Sequence, residues 1–217
     1  MTDKKICPIC NKRRAERYCP AKDEHICAID CGTEREVTID CPSDCPHLIA
    51  AHRWEQSHPK PLAENEIPFP EVSFSSDIVR TRENILSELG YTVAIYAKEQ
   101  SSLADSDVFA AVKAFAETRR TMLSGIYYEK LPEIPVAAGL YAALAKFIDE
   151  LKKREAEHPE FPAMKDTEIF HLLVFFVRFA RLRSNGRPRT RAFLTFLRSQ
   201  FPVEAGVAQE EPRIILP

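Results

Sequence analysis

The chain has 217 residues, of which 45% are apolar and 29% charged, and its formal net charge is −2 at pH 7. This is the composition of an ordinary folded protein of one or two domains, and the near-neutral charge argues against a global attraction to nucleic acid or to anionic membranes. The first ten residues, MTDKKICPIC, contain no apolar stretch of the kind that a secretory signal requires. We therefore expect a cytoplasmic protein that does not associate with membranes.

The seven cysteines of the chain all lie between positions 7 and 45. They form three close pairs, Cys7–Cys10, Cys27–Cys31 and Cys41–Cys45, and Cys19 stands alone between the first two pairs. In a reducing compartment such clusters are more often metal ligands than disulfides, and an odd number of cysteines argues against complete pairing. Zn²⁺ binds four such ligands in a tetrahedron, and close pairs on tight turns supply two at a time. The sequence therefore predicts bound zinc, with one further ligand needed to complete two sites.

This pattern resembles the cross-brace zinc fingers of the HIT and MYND types, which have a CxxC opening, a central pair and a closing pair at x3 spacing. The matching residues are the three cysteine pairs, and Tyr18-Cys19-Pro20 is similar to the start of the family's second pair. The resemblance implies a small cross-brace or treble-clef-like fold with two structural zinc ions, and a role in protein contacts. It places Cys7, Cys10, Cys27 and Cys31 in site one, and Cys19, Cys41 and Cys45 in site two.

One position of the family pattern is not matched in this chain. Lys22 stands where a further cysteine is expected, so site two needs a substitute ligand. His25 is the preferred candidate because it lies two residues before a cysteine, and on an extended segment both side chains would face the same way. His47, two residues after a cysteine, is the second candidate, and Asp30 is the third.

Beyond the cysteines the sequence predicts helices. Residues 47–58 indicate a short helix that ends at Pro59, and the proline-rich, acidic stretch 59–72 is typical of an extended linker. Apolar residues then recur at spacings of three and four in five segments. These segments are 77–99, 106–124, 136–157, 167–183 and 188–200. The predicted fold is mainly α: a zinc-binding module with its trailing helix over 1–58, the linker over 59–72, a bundle of about five helices over 73–202 and a flexible tail over 203–217.

The segment from Arg178 to Arg198 contains seven arginines and no lysine or acidic residue. Arginine suits bidentate pairing with phosphate or carboxylate, so this segment is a candidate site for an anion or a nucleic acid. The candidate residues are Arg178, Arg181, Arg183, Arg187, Arg189 and Arg191. The alternative is internal pairing with the acidic end of the predicted helix 136–157, which carries Asp149, Glu150, Glu155 and Glu157.

Two functions from different classes follow from these features. The first is a non-enzymatic interaction protein, in which structural zinc sites present a surface to another protein. The second is a nucleic-acid-binding protein that uses the arginine-rich segment. We expect the first, because the cysteine module carries balanced charge, whereas a dedicated DNA-binding finger is more often strongly basic. Catalysis is not expected, because no nucleophile with an adjacent base and no open zinc site with a nearby general base is evident.

Overall fold

The computed structural model describes residues 5–58, 60–73, 76–158, 160 and 163–202, and this part of the chain is mainly α-helical, as the sequence predicts. The N-terminal elements are β1 (Arg17–Cys19), β2 (Glu24–Ile26), α1 (Ala28–Glu34) and α2 (Pro46–Ser57). A 3-10 turn at Glu64–Glu66 leads to α3 (Ser76–Thr81), α4 (Glu83–Glu99), α5 (Asp105–Leu123), α6 (Pro135–Glu157), α7 (Asp166–Arg183) and α8 (Ala192–Gln200). The predicted tail, 203–217, lies outside the described residues. None of the described helices is both long and apolar enough to cross a membrane.

Helix α7 lies at the centre of the bundle. Its apolar residues cover almost its whole circumference, and the run from Leu172 to Val174 and the pair Phe176 and Val177 are all buried. It packs against α3, α5 and α8, while α6 packs against α4 and α5. Burial of each such side chain stabilises the fold by roughly 1.5–3 kcal/mol. A helix that is apolar on all sides must be enclosed by others, so its sequence alone predicts this central position.

The structure divides the predicted helix 77–99 at Arg82. Here α3 ends and α4 begins, with Arg82 at φ −115° and ψ 26°, which is outside the helical region. The Arg82 guanidinium reaches Glu168 at the start of α7, 3.4 Å away. Gly90 lies buried inside the continuous α4, and a Cβ there would stand 2.8 Å from the Phe201 ring.

Asp105, the first residue of α5, caps the N-terminus of α8. Its buried carboxylate accepts hydrogen bonds from the backbone N–H groups of Phe193 (3.0 Å) and Leu194 (3.2 Å). Burial nevertheless raises the pKa of Asp105 to about 6, because desolvation outweighs these N–H groups. The sequence predicts that this helix starts at Pro188. It starts instead at Ala192, where its free N–H groups meet the carboxylate of another helix.

The proline-rich segment 60–73 packs against the bundle. Phe69 is buried in the bundle core and meets the Phe170 ring edge-on at 5.7 Å between centroids. The Arg178 guanidinium of α7 donates hydrogen bonds to the carbonyls of Pro68 (2.9 Å), Val72 (2.9 Å) and Phe69. The composition predicts an extended linker, and apart from the turn at Glu64–Glu66 the segment has no regular structure. It is nevertheless fixed to the bundle by the Phe69 ring and by Arg178 and Arg181 of α7.

The cysteine module, residues 5–57, is built on a two-stranded antiparallel sheet and two short helices. Strands β1 and β2 pair with Tyr18 opposite His25 and Cys19 opposite Glu24. Its small core consists largely of cysteine: the buried members are Cys7, Cys19, Ile26, Cys27 and Ile39. With Leu48 of α2, these two isoleucines are the only buried aliphatic residues among the described residues of the module. Such a module removes little apolar surface from water, which is the usual situation of small domains that depend on a metal.

Candidate metal centre

Four side chains of the cysteine module converge with the geometry of a metal site. They are Cys7, Cys10, Cys27 and Asp30, and their three sulfur atoms and one carboxylate oxygen all lie within 4.8 Å of one another. Cys7, Cys27 and Asp30 are buried, and Cys10 is partly buried. Three thiolates and a carboxylate are donors that Zn²⁺ accepts, and four of them complete a tetrahedron. The donor set therefore fits a zinc ion.

The turn after Cys7 brings the first two thiols together. The N–H of Cys7 donates to the carbonyl of Arg13 at 2.8 Å, and the N–H of Asn11 returns to the carbonyl of Cys7 at the same distance. Asn11 has a φ of 52°, in the left-handed region that asparagine tolerates better than most residues. The sequence CPICN thus folds into a tight loop that places both sulfur atoms on one side.

Helix α1 supplies the other two donors. Cys27 is its N-cap, and the Cys27 sulfur accepts a hydrogen bond from the N–H of Asp30 at 3.3 Å. Because Asp30 lies in the first turn, its carboxylate points back toward the cap and accepts a hydrogen bond from the Cys7 thiol at 3.0 Å. Hydrogen bonds from Cys10, Cys7 and Cys27 lower the pKa of Asp30 to about 2. The carboxylate is therefore ionised and ready to bind a cation.

Arg13 approaches this group from outside. Its guanidinium lies 3.4 Å from the Asp30 carboxylate, and it also forms a hydrogen bond with Cys27. Three thiolates and one carboxylate around Zn²⁺ carry a net charge of −2, so a neighbouring cation stabilises the loaded site. Outer partners of this kind orient the ligands and tune their affinity.

In the four-donor group Asp30 occupies the position that the family resemblance assigns to Cys31. Cys31 lies one residue further along α1, partly buried against the module core, and it is not a member of the four-donor group. The sequence interpretation ranks Asp30 only third, and as a ligand of the other site. The available signal was its spacing: a residue three positions after an N-cap lies over the cap, so Cys27 and Asp30 meet on one helix face.

The other three cysteines form a second, looser group. Cys19 and Cys45 are buried and Cys41 is partly buried. Burial raises the pKa of Cys41 to about 11, and the charges of Cys45 and Cys19 add to the effect. Cys41 is thus within electrostatic range of the other two thiols, although in the described residues the three do not converge as closely as the first four donors do.

The two candidate histidines occupy different positions. His25 pairs with Tyr18 across the sheet and is exposed, on the face opposite to that of Cys19, because side chains alternate along a strand. His47 is partly buried in the first turn of α2, two residues after Cys45, which is the N-cap of that helix. The His25 side chain is therefore directed away from Cys19, whereas His47 stays a candidate by its position in the first turn after Cys45.

The arginine-rich segment meets the cysteine module. Arg187 donates to the carbonyls of Gly32 (3.0 Å) and Arg35 (2.5 Å) at the end of α1. Arg191 forms an ion pair with Asp40 at 2.7 Å. The sequence interpretation that these arginines pair with the acidic end of the helix 136–157 is wrong for Arg187 and Arg191. Their partners come from a segment some 150 positions earlier in the chain, which local charge patterns do not reveal.

Glu36 is the centre of this contact. It is only 2% exposed, and its carboxylate accepts hydrogen bonds from His52 (3.0 Å), the side chain of Asn185 (2.8 Å) and the N–H of Arg191 (3.4 Å). Burial acts to raise the pKa of Glu36, but these hydrogen bonds outweigh burial and hold the pKa below its usual value. We call Glu36, His52, Asn185, Arg187 and Arg191 the junction network.

The remaining arginines of the candidate anion site lie elsewhere. Arg178 holds the segment 68–72, and Arg181 lies over the Phe109 ring and 3.4 Å from Glu66. Arg183 lies over the ring of Phe196, 4.6 Å from its centroid. Arg189 is exposed, and its N–H donates to the carbonyl of Glu36 at 2.9 Å. Most of the arginine side chains therefore bind other parts of the same chain.

Comparisons of the chain with models of known protein families, with curated proteins and with solved structures gave no match.

Proposed function

We propose that this chain is a non-enzymatic, zinc-binding interaction protein whose cysteine module presents a surface to another protein. The first zinc ion is held by Cys7, Cys10, Cys27 and Asp30. All four positions of a tetrahedron are then protein donors, which leaves no open position for a substrate, so the role of this metal is structural. Thiolate ligands persist under reducing conditions, which agrees with a cytoplasmic protein.

A second zinc ion completes the proposal. Cys19, Cys41 and Cys45 supply three thiolates, and we take His47 as the fourth ligand because His25 lies on the strand face opposite to Cys19. A buried thiol with a raised pKa keeps its proton in the absence of metal, and zinc replaces that proton. Two ions in a module of this size compensate for the small apolar core.

The observation that carries the interaction role is the exposure of large apolar side chains beside the first metal centre. Ile6 precedes Cys7 and is 63% exposed, and Ile29 precedes Asp30 and is 55% exposed. Each therefore lies next to a proposed ligand and exposes apolar surface to water. Apolar side chains grouped at a surface are typical of protein contact sites. Nucleic acid has less support as a partner, because most arginines of the candidate site bind other parts of the chain.

The test is a quantitative pull-down from the native cell with three forms of the zinc-loaded protein: wild type, Ile29→Asp, and Leu182→Asp. Leu182 is 47% exposed on the bundle, so its substitution makes a comparable change away from the metal centre. The proposal predicts that Ile29→Asp and zinc chelation each abolish capture of the same partner, while Leu182→Asp retains it. Equal capture by wild type and Ile29→Asp would contradict the role of this surface.

A further inference from the structure

Helix α1 lies between the first metal centre and the bundle. Its N-cap, Cys27, and its first-turn residue, Asp30, are metal donors. At its other end the carbonyls of Gly32 and Arg35 accept hydrogen bonds from Arg187 of the bundle. A helix of seven residues thus has a metal site at one end and the bundle at the other.

Glu36, the second residue after α1, extends the contact between this helix and the bundle. Glu36 has a φ of 57°, a left-handed conformation that costs a glutamate energy and persists only where surrounding contacts hold it. In this conformation its side chain enters the junction network, and its carbonyl accepts the N–H of Arg189. The position of Glu36 depends on the preceding helix, since only the C-cap residue Arg35 separates it from the end of α1.

The seven residues of α1 are too few to form a stable helix by themselves. An isolated helix of fewer than about 12 residues is marginal in water, because the cost of nucleation is spread over too few hydrogen bonds. The core of the module, against which α1 packs, consists mainly of the cysteines of the module. Without a metal, the three thiols and the carboxylate lose the ion that binds the 7–10 loop to the start of α1.

We propose that metal at the first centre controls the docking of the cysteine module onto the bundle: bound zinc holds α1 and Glu36 in the conformation that Arg187 and Asn185 recognise, and loss of zinc releases this contact. The inference depends on the zinc site of the proposed function and adds a regulated contact between the two parts of the chain. Release exposes two cations, Arg187 and Arg191, together with the buried Glu36. The module is then a metal-dependent cover for part of the arginine-rich segment.

The structure offers four backbone amides that report this directly. The N–H groups of Arg189 and Arg191 donate to Glu36 of the module, whereas those of Phe193 and Leu194 donate to Asp105 within the bundle. Amide hydrogen exchange is measured by NMR on the full chain under reducing conditions, with zinc bound and after chelation. We expect chelation to accelerate exchange at Arg189 and Arg191 by at least about fivefold, the lower range of typical coupling between sites. Exchange at Phe193 and Leu194 remains within experimental error.

Three results would be decisive against the inference. Unchanged exchange at Arg189 and Arg191 in protein shown to bind zinc would refute the coupling and leave the proposed function intact. Equal acceleration at all four amides would indicate global unfolding and not release of the junction. Failure of the wild-type chain to bind zinc would overturn both proposals.

Coupling between two sites is reciprocal, so breaking the junction must weaken the metal site by the same factor. Arg187→Gln removes the bonds to α1, and Arg198→Gln is the matched control, because Arg198 belongs to the same segment but donates to Ala97 within the bundle. Competition with a chromophoric chelator should show at least about fivefold weaker zinc binding for Arg187→Gln and no change for Arg198→Gln. Equal affinity of the two variants would contradict the inference. If Arg187→Gln does not fold, the exchange experiment on the wild-type chain decides alone.

Discussion

Replacement of Glu36 by alanine is expected to destabilise the junction between the cysteine module and the bundle strongly. The substitution removes the acceptor for His52, the Asn185 side chain and the Arg191 N–H at a site where Glu36 is 2% exposed. The Asn185 side chain keeps a second acceptor in the Glu55 carboxylate, 3.1 Å away. The His52 ring can change its tautomer so that the nitrogen facing residue 36 carries no proton. The cost is therefore smaller than that of three complete hydrogen bonds. Leaving buried donors without an acceptor costs about 1–3 kcal/mol, and we expect a loss of stability in this range.

The assay uses two probes of urea unfolding. The single tryptophan, Trp54, lies in α2 of the cysteine module, while far-UV circular dichroism is dominated by the helices of the bundle. Loss of the junction should move the fluorescence transition to lower urea by more than it moves the dichroism transition. Glu24→Ala is the control, because Glu24 is an exposed glutamate of the same module. A destabilisation by Glu36→Ala below about 0.5 kcal/mol, the range of ordinary surface substitutions, would refute the reasoning.

The remaining predictions concern the Asp105 cap, the pH dependence of Glu36 and nucleic acid. The pKa of Asp105 is raised from 3.8 to about 6, so the stability that its protonated form provides is full at low pH and is lost as pH rises to about 6. Asp105→Asn should therefore flatten the decline of the urea midpoint between about pH 4 and pH 6, and an unchanged slope would contradict this. The pKa of Glu36 is lowered, so its ionised form stabilises the folded chain above the usual glutamate pKa, and this stabilisation is lost as pH falls through the folded-state pKa. The free energy of unfolding of wild type and of Glu36→Gln, measured as pH is lowered, tests this. Fluorescence anisotropy with short DNA and RNA should detect no binding by the zinc-loaded chain at low salt, and salt-sensitive binding that Arg189→Gln weakens would favour the nucleic-acid alternative.

The helical bundle follows from local sequence. Apolar residues at spacings of three and four predict α6 as 136–157 and α7 as 167–183, within one residue of the observed Pro135–Glu157 and Asp166–Arg183. These helices carry their own start signals: Pro135 at the first position of α6, and Glu168, whose carboxylate accepts the N–H of Lys165 at 2.8 Å at the start of α7. The spacing of apolar residues and the residues that start a helix are local features, so they can be identified in a single sequence.

Features that depend on distant residues were not predictable in the same way. The start of α8 is set by Asp105, 88 positions earlier, and the role of Arg187 is set by carbonyl groups that exist only once α1 has formed. The cysteine spacing indicates a metal centre, but the choice of Asp30 over Cys31 depends on the geometry of a helix that begins at Cys27. Spacing identifies donor types, and the fold decides which of them meet.

The central claim is that the cysteine module holds two zinc ions, and native mass spectrometry of the purified chain tests it most directly. The account predicts two zinc ions per wild-type chain and one after the double substitution Cys7→Ala and Cys10→Ala, which removes two donors of the first site and none of the second. A wild-type chain with one ion or none, or with the absorption band of an iron–sulfur cluster, would contradict it.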